Sequence, residues 1–162
     1  MEQAMAIARD ALHELFVYDN GVLRNKVSRK KARVGSPVGT ADSYGYLVAT
    51  VGGRVHKVHR LIYAMFNDVM PAVIDHINGD PADNRIENLR PATVQQNGYN
   101  RRVNHTSGTQ IKGVSFLRGK WMAQCQSTGK RKYLGVFATP EQAVLALEKF
   151  RNDTQKEFAR NE

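Results

Sequence analysis

Apolar residues recur along this chain at two periods, and the switches between them mark out its elements. Met5, Ala8, Leu12 and Leu15 fall at helical spacing and predict a short helix over residues 4–16. The run from Phe16 to Arg24 then alternates about Asn20-Gly21, the turn pair of a tight hairpin. A basic stretch to Arg33 and a loop from Gly35 to Gly39 separate this from a second hairpin. That hairpin pairs Tyr44–Val51 with Arg54–Val58 across Gly52-Gly53. Leu61–Phe66, entered through His59-Arg60, reads as a helix packing on those strands. The central stretch predicts a strand to Ile77, a turn-rich loop from Asn78 to Asn84 and an extended return through Ile86 and Leu89. Thr93-Val-Gln-Gln96 has capping-box spacing, so Asn97 falls early in a helix running to about Arg101.

Residues 104–109 are polar and contain Ser107-Gly108, as a linker does. Beyond them, strand-like runs at Gly113–Leu117, Trp121–Gln126 and Lys132–Phe137 are separated by turns at Gly119 and Gly129. Thr139-Pro-Glu-Gln142 then opens a helix with Pro at its first position and Ala143, Val144, Leu147 and Phe150 on its apolar face. The expected fold class is α+β. A first domain over residues 1–103, with its core at about 44–101, precedes a second over 107–158 built from a three-stranded antiparallel sheet backed by one helix.

Composition narrows the function. The 162 residues include 41% hydrophobic positions, enough for folded domains. No apolar run reaches the ~20 residues of a bilayer span, and the charged N-terminus is not that of a signal peptide. A cytoplasmic protein with no membrane partner is expected. The single cysteine, Cys125, leaves no disulfide and no cysteine-based zinc staple. The net charge of +9 is segregated: six Lys/Arg and no acid lie between Arg24 and Arg33, and no Asp or Glu occurs between Glu87 and Glu141. That acid-free stretch carries Arg90, Arg101, Arg102, Lys112, Arg118, Lys120, Lys130, Arg131 and Lys132. Such a field suits phosphate contacts, and nucleic acid is favoured over membrane.

Phosphodiester cleavage needs a base for water and a means of stabilising charge on phosphate. Near neutral pH an imidazole suits the first task; a hard cation held by oxygen ligands suits the second. Asp75 and His76 are adjacent on a predicted strand, so they share a site only if the strand ends there. By itself, an Asp-His pair beside a turn is more often a surface loop, and the asparagines alone read as turn formers.

The full string resolves this. Asp75-His76-x-Asn-Gly-Asp, then Asn84-Arg85, Asn88-Leu89-Arg90, Thr93 and Asn97, preceded by Val58-His59-Arg60-Leu61, resembles the HNH endonucleases of phages and mobile introns. The resemblance implies a ββα-metal nuclease core. It implies His76 as general base, Asn88 bonding across the motif to hold the loop, and Asp75 with Asn97 as ligands of one divalent ion, most often Mg²⁺, with Mn²⁺ as the alternative. Asn97 stands where the family name has His, which favours a hard oxygen-bound metal over zinc. His59 is expected to be structural support ahead of a secondary site group, and Asn84 to shape the loop. Arg85 and Arg90 either touch phosphate or are solvated surface arginines. His56, His13 and His105 carry no functional expectation.

In the C-terminal sheet, alternation puts Trp121, Ala123 and Cys125 on one face with Leu134 and Val136, and Gln124, Gln126 and Tyr133 on the other. Lys112-Gly113-Val114, Gly119-Lys120-Trp121-x-Ala123 and Leu134-Gly135-x-Phe137 resemble the DNA-binding domain of plant APETALA and ethylene-response factors. The DNA-facing positions implied are Lys112, Ser115, Gln124, Gln126, Arg131 and Tyr133. Ser115 and Gln126 stand where the plant proteins commonly have arginine, so the plant target sequence does not carry over. The expected protein is a metal-dependent endonuclease of double-stranded DNA, monomer or dimer, acting in the bacterial host cytoplasm if phage-encoded. The alternative is a catalytically inactive DNA-binding regulator on an HNH fold.

Overall fold

In a computed structural model of the chain, residues 9–29, 32–100, 109, 111–127, 129–155 and 158 are described. Met5, Ala8, Lys30, Lys31, Arg101, Arg102, His105 and the expected linker at 104–108 lie outside them. The chain divides into two units, Met1–Pro91 and Ala92–Glu162.

In the first unit, α1 (Arg9–Leu15) buries Leu12 and runs into a hairpin of β1 (Phe16–Asp19) and β2 (Val22–Asn25). The expected turn is present: Asn20 and Gly21 take φ of 42° and 90°. Glycine is needed at 21 for a second reason, since a Cβ there would come within 2.9 Å of the Arg85 backbone nitrogen. A three-stranded sheet follows, ordered β3 (Thr40–Ala41), β4 (Leu47–Val51), β5 (Arg54–Lys57). The strand β3 has only two residues, too short to show a period.

Helix α2 spans Val58–Phe66 and so begins before the predicted Leu61, taking Val58 and His59 out of the strand. Strand pairing stops at Val48 and Lys57. Val58, Leu61, Ile62 and Met65 then form a helical stripe, all buried against Phe16, Leu23, Val51 and Ile74. The chain next forms β6 (Val73–His76), a 3-10 turn at Ile86–Asn88 and β7 (Leu89–Ala92), which pairs with β6. Ile86 thus lies in a tight turn and not in the expected extended return. Its N–H donates to the Tyr18 hydroxyl at 3.0 Å, tying this turn to the first hairpin.

The second unit opens with α3 (Val94–Tyr99), shorter than expected, with Asn100 as C-cap. The capping box is formed: the Gln96 N–H donates to Thr93 Oγ1 at 3.1 Å, and the Thr93 N–H to Gln96 Oε1 at 2.7 Å. Strands β8 (Val114–Leu117), β9 (Lys120–Ser127) and β10 (Lys130–Phe137) form an antiparallel sheet in the order β10-β9-β8. Helix α4 (Pro140–Gln155) covers one face with Ala143 and Leu147 buried against Val114, Ala123 and Cys125. Gly113 approaches β9 so closely that a Cβ would lie 2.4 Å from the Gln124 carbonyl oxygen.

One expectation fails inside this sheet. The register slips between Tyr133 and Gly135, leaving Leu134 as an extra residue. A bulge reverses the alternation beyond it. Leu134 and Phe137 pack on the core, and Val136 turns outward. Among the described residues no helix is long and apolar enough to cross a membrane.

Candidate functional site

The site is built around the end of β6. Asp75 and His76 are its last two residues, both buried, and the chain turns at once: the Gly79 N–H donates to the His76 carbonyl at 2.8 Å. The chain thus leaves the strand immediately after His76.

His76 Nε2 lies 3.1 Å from Asn84 Oδ1. An amide oxygen only accepts, so Nε2 carries the proton and donates it, and the neutral ring keeps its lone pair on Nδ1. Burial pushes the His76 pKa down, while Asn84 and the carboxylates of Asp75, Asp80 and Asp83 oppose that shift. Asn84 itself is 1% exposed, and its Nδ2 has no partner among the described residues. The asparagine read as a loop former therefore also orients the imidazole.

Asn88 staples the loop from the far side. Its Oδ1 accepts from the Asn78 N–H at 3.0 Å, and its Nδ2 donates to Asn78 Oδ1 at 3.0 Å and to the Asp83 carbonyl at 2.8 Å. Its own carbonyl accepts from the Ile77 N–H at 2.9 Å, fastening the end of β6 to the 3-10 turn. One side chain thus fixes the loop that carries Asn84.

Asp75 has a cationic partner that the sequence did not announce. Arg90 Nε and Nη2 each approach Asp75 Oδ2 at 2.8 Å, with both side chains largely buried. Arg90 is not a solvated surface arginine: it is held on β7 against the carboxylate expected to hold a metal. Arg85, half exposed, forks onto Asp83 at 2.9 and 2.7 Å and holds that carboxyl at about 2. The same fork raises the Arg85 pKa.

His59, on α2, meets His76 edge-to-face with ring centroids 4.9 Å apart. Burial first, then the His76, Lys57 and Arg60 charges, lower its pKa to about 3, so it is neutral at physiological pH. Its Nδ1 is buried without a partner among the described residues. Tyr46 closes this aromatic group, 5.5 Å from His59 and 5.9 Å from His76, under the Lys57 ammonium at 3.7 Å. Sequence reasoning missed Tyr46: it lies thirty positions from His76, and only the docking of β4 against α2 brings it there.

Asn97 lies on α3, in the second unit, just past the capped first turn. Among the described residues no group of three or more His, Cys, Asp or Glu side chains is disposed to hold a metal ion. Carboxylate and amide oxygens of the kind that Asp75 and the asparagines carry suit a hard divalent cation.

The family model described as HNH endonuclease matches residues 56–99. Protein 3.8 of Escherichia phage T7 is 30% identical over 82 residues, covering 48% of this chain and 68% of that protein. The chain belongs to the HNH endonuclease family. The matched segment runs from His56 through α3, so it takes in His59, the His76 loop and Asn97 of this HNH protein. No solved structure gives a significant match.

Of the remaining expected positions, Gln126, Arg131 and Tyr133 are exposed on the sheet face away from α4, and Gln124 is half-buried there. Ser115 Oγ is buried without a partner among the described residues. Lys112 Nζ donates to the Tyr99 carbonyl at 2.5 Å. Lys112, Gln124, Gln126 and Arg131 line a cleft of about 710 Å³, with Val94 and Gln95 of α3 among its other walls.

Proposed function

We propose that this HNH protein is a metal-dependent endonuclease of double-stranded DNA with His76 as general base. The observation that carries the reading is the buried Nε2–H donated to Asn84 Oδ1, which leaves the basic lone pair on Nδ1 and holds the ring in one orientation. A water molecule gives its proton to His76 Nδ1 as its oxygen attacks phosphorus. The 3′ oxygen departs and is protonated from solvent, leaving 5′-phosphate and 3′-hydroxyl ends. Asn88 keeps the loop, and through Asn84 the ring, in register with that attack. His59 and Tyr46 wall the imidazole against reorientation.

Strand, loop, strand and helix over 73–99 are read as a ββα-metal core. Asp75 and Asn97 are the residues that would hold one divalent ion, Mg²⁺ or Mn²⁺. Such an ion would supply charge stabilisation at the phosphate. The C-terminal sheet is read as an APETALA-like DNA-binding domain presenting Gln124, Gln126, Arg131 and Tyr133, with Lys112 and Ser115 at its edge.

The Asp75–Arg90 pair favours a second reading, in which Asp75 is a structural anion and the protein binds DNA without cutting it. Nicking of supercoiled plasmid in Mg²⁺ or Mn²⁺ separates the two. The wild-type chain is expected to nick, and His76→Ala to do so about a thousandfold more slowly. Failure of the wild type with either ion would remove the enzyme reading and leave the regulator.

A further inference from the structure

The bulge at Leu134 does more than shift a register. On the sheet face away from α4, cross-strand pairing aligns Leu117 with Lys120, then Ser115 with Met122 and Val136, then Gln124 with Tyr133, then Gln126 with Arg131. Regular alternation would have turned Val136 into the core. Instead Leu117, Tyr133 and Val136 are 56%, 58% and 51% exposed, with Met122 between them. The outer face therefore has two halves: an apolar strip of Leu117, Met122 and Val136, and an amide-bearing half with Gln124 and Gln126.

An exposed apolar strip marks a binding surface, and charge indicates its occupant. Lys120 beside Leu117 and Arg131 beside Gln126 lie at the two ends of this face, with Arg118 in the turn that follows Leu117, and no acid occurs between Glu87 and Glu141. That border suits a polyanion. In a major groove, glutamine amides pair with the N6 and N7 edge of adenine, and apolar side chains contact the thymine methyl. Guanine is read chiefly by arginine or lysine, and the middle of this face carries Ser115, Met122, Gln124 and Val136 instead.

We propose that this sheet face selects A·T-containing duplex DNA, with Leu117, Met122 and Val136 against thymine methyls and Gln124 and Gln126 on adenine edges. The inference rests on the reading of the sheet as the DNA-binding face. It names the base pairs that this face accepts.

The test uses the full wild-type chain in EDTA, so that binding is measured without cleavage. Fluorescence anisotropy compares three duplexes of equal length: alternating A·T, the same sequence with every thymine replaced by deoxyuridine, and alternating G·C. Deoxyuridine removes only the methyl, and burying a methyl favours binding several-fold, so about tenfold weaker binding is expected on replacing several. Leu117→Ser with Val136→Ser should shrink that difference to the few-fold that Met122 alone can give. Equal wild-type affinity for those two duplexes overturns the inference, even where the chain nicks plasmid and the function stands. Absence of binding to any duplex removes the DNA-face reading as well. A dimer in sedimentation that the double variant dissociates, with DNA affinity unchanged, would assign the strip to a second copy and also overturn it.

Discussion

The two units treat buried polarity in opposite ways. In the first, His59, Asp75, His76, Asn84 and Asn88 are all buried beside a core built on Phe16, Leu23, Ile62 and Met65. Burying such groups is costly unless they are bonded, so each hydrogen bond around the His76 loop offsets part of their desolvation. The second unit has a smaller core, and its polar side chains Gln126 and Arg131 remain at the surface. Its buried Arg151 and Gln155 tie α4 to the Lys112 and Gln126 carbonyls at 2.6 and 3.2 Å. In the first unit the buried polar groups gather around one loop; in the second the sheet face away from α4 keeps polar side chains exposed.

This contrast is open to three measurements. The largest effect is expected in the second unit, where Leu147→Ala empties the centre of the small core. A loss of about 3 kcal/mol in urea unfolding is expected, with protection of the His76 loop amides in hydrogen exchange unchanged. Equal loss of protection in both units would show that they unfold together.

Next comes Asn88→Ala, which strands the Asn78 N–H and the Asp83 carbonyl. About 2 kcal/mol should be lost, and nicking should fall with it, because the loop that holds Asn84 is released. A variant as stable as wild type would mean that the staple is dispensable.

The smallest effect is the pH dependence of His59. Its native pKa, about 3, lies below the unfolded value of 6.5. Stability from this group is therefore full above 6.5 and is lost as pH falls from there toward 3, at no more than ~1.4 kcal/mol per unit. Unfolding free energies extrapolated from urea at pH 7 and pH 5 should differ in wild type by roughly 1–2 kcal/mol more than in His59→Leu. An equal difference in both would place the pH sensitivity elsewhere.

Much of the architecture was legible because local signals agreed with the tertiary fold. Asn20-Gly21 specified its hairpin, Thr93 and Gln96 their capping box, and Thr139-Pro140 the start of α4, whose Thr139 Oγ1 accepts from the Gln142 N–H at 3.4 Å. The start of α2 was misplaced because Val58 suits both a strand end and a helix stripe, and only burial against the core decides between them. The Leu134 bulge had one local sign, Gly135 in mid-strand, which takes φ of 130°. Alternation assumes an unbroken register, and so Val136 was assigned to the wrong face.

The full spaced string from Asp75 to Asn97, with Val58-His59-Arg60-Leu61 before it, was enough to point to the HNH family, because residue type and spacing survive in a linear string. So was the basic character of the chain beyond Glu87. Tertiary structure alone decided which partner each group received. Asn84 orients His76, Arg90 neutralises Asp75, and Tyr46 closes the ring cluster. These pairings depend on where strands end and turns close, and a hydrogen bond depends on distance and angle that no one-dimensional pattern records.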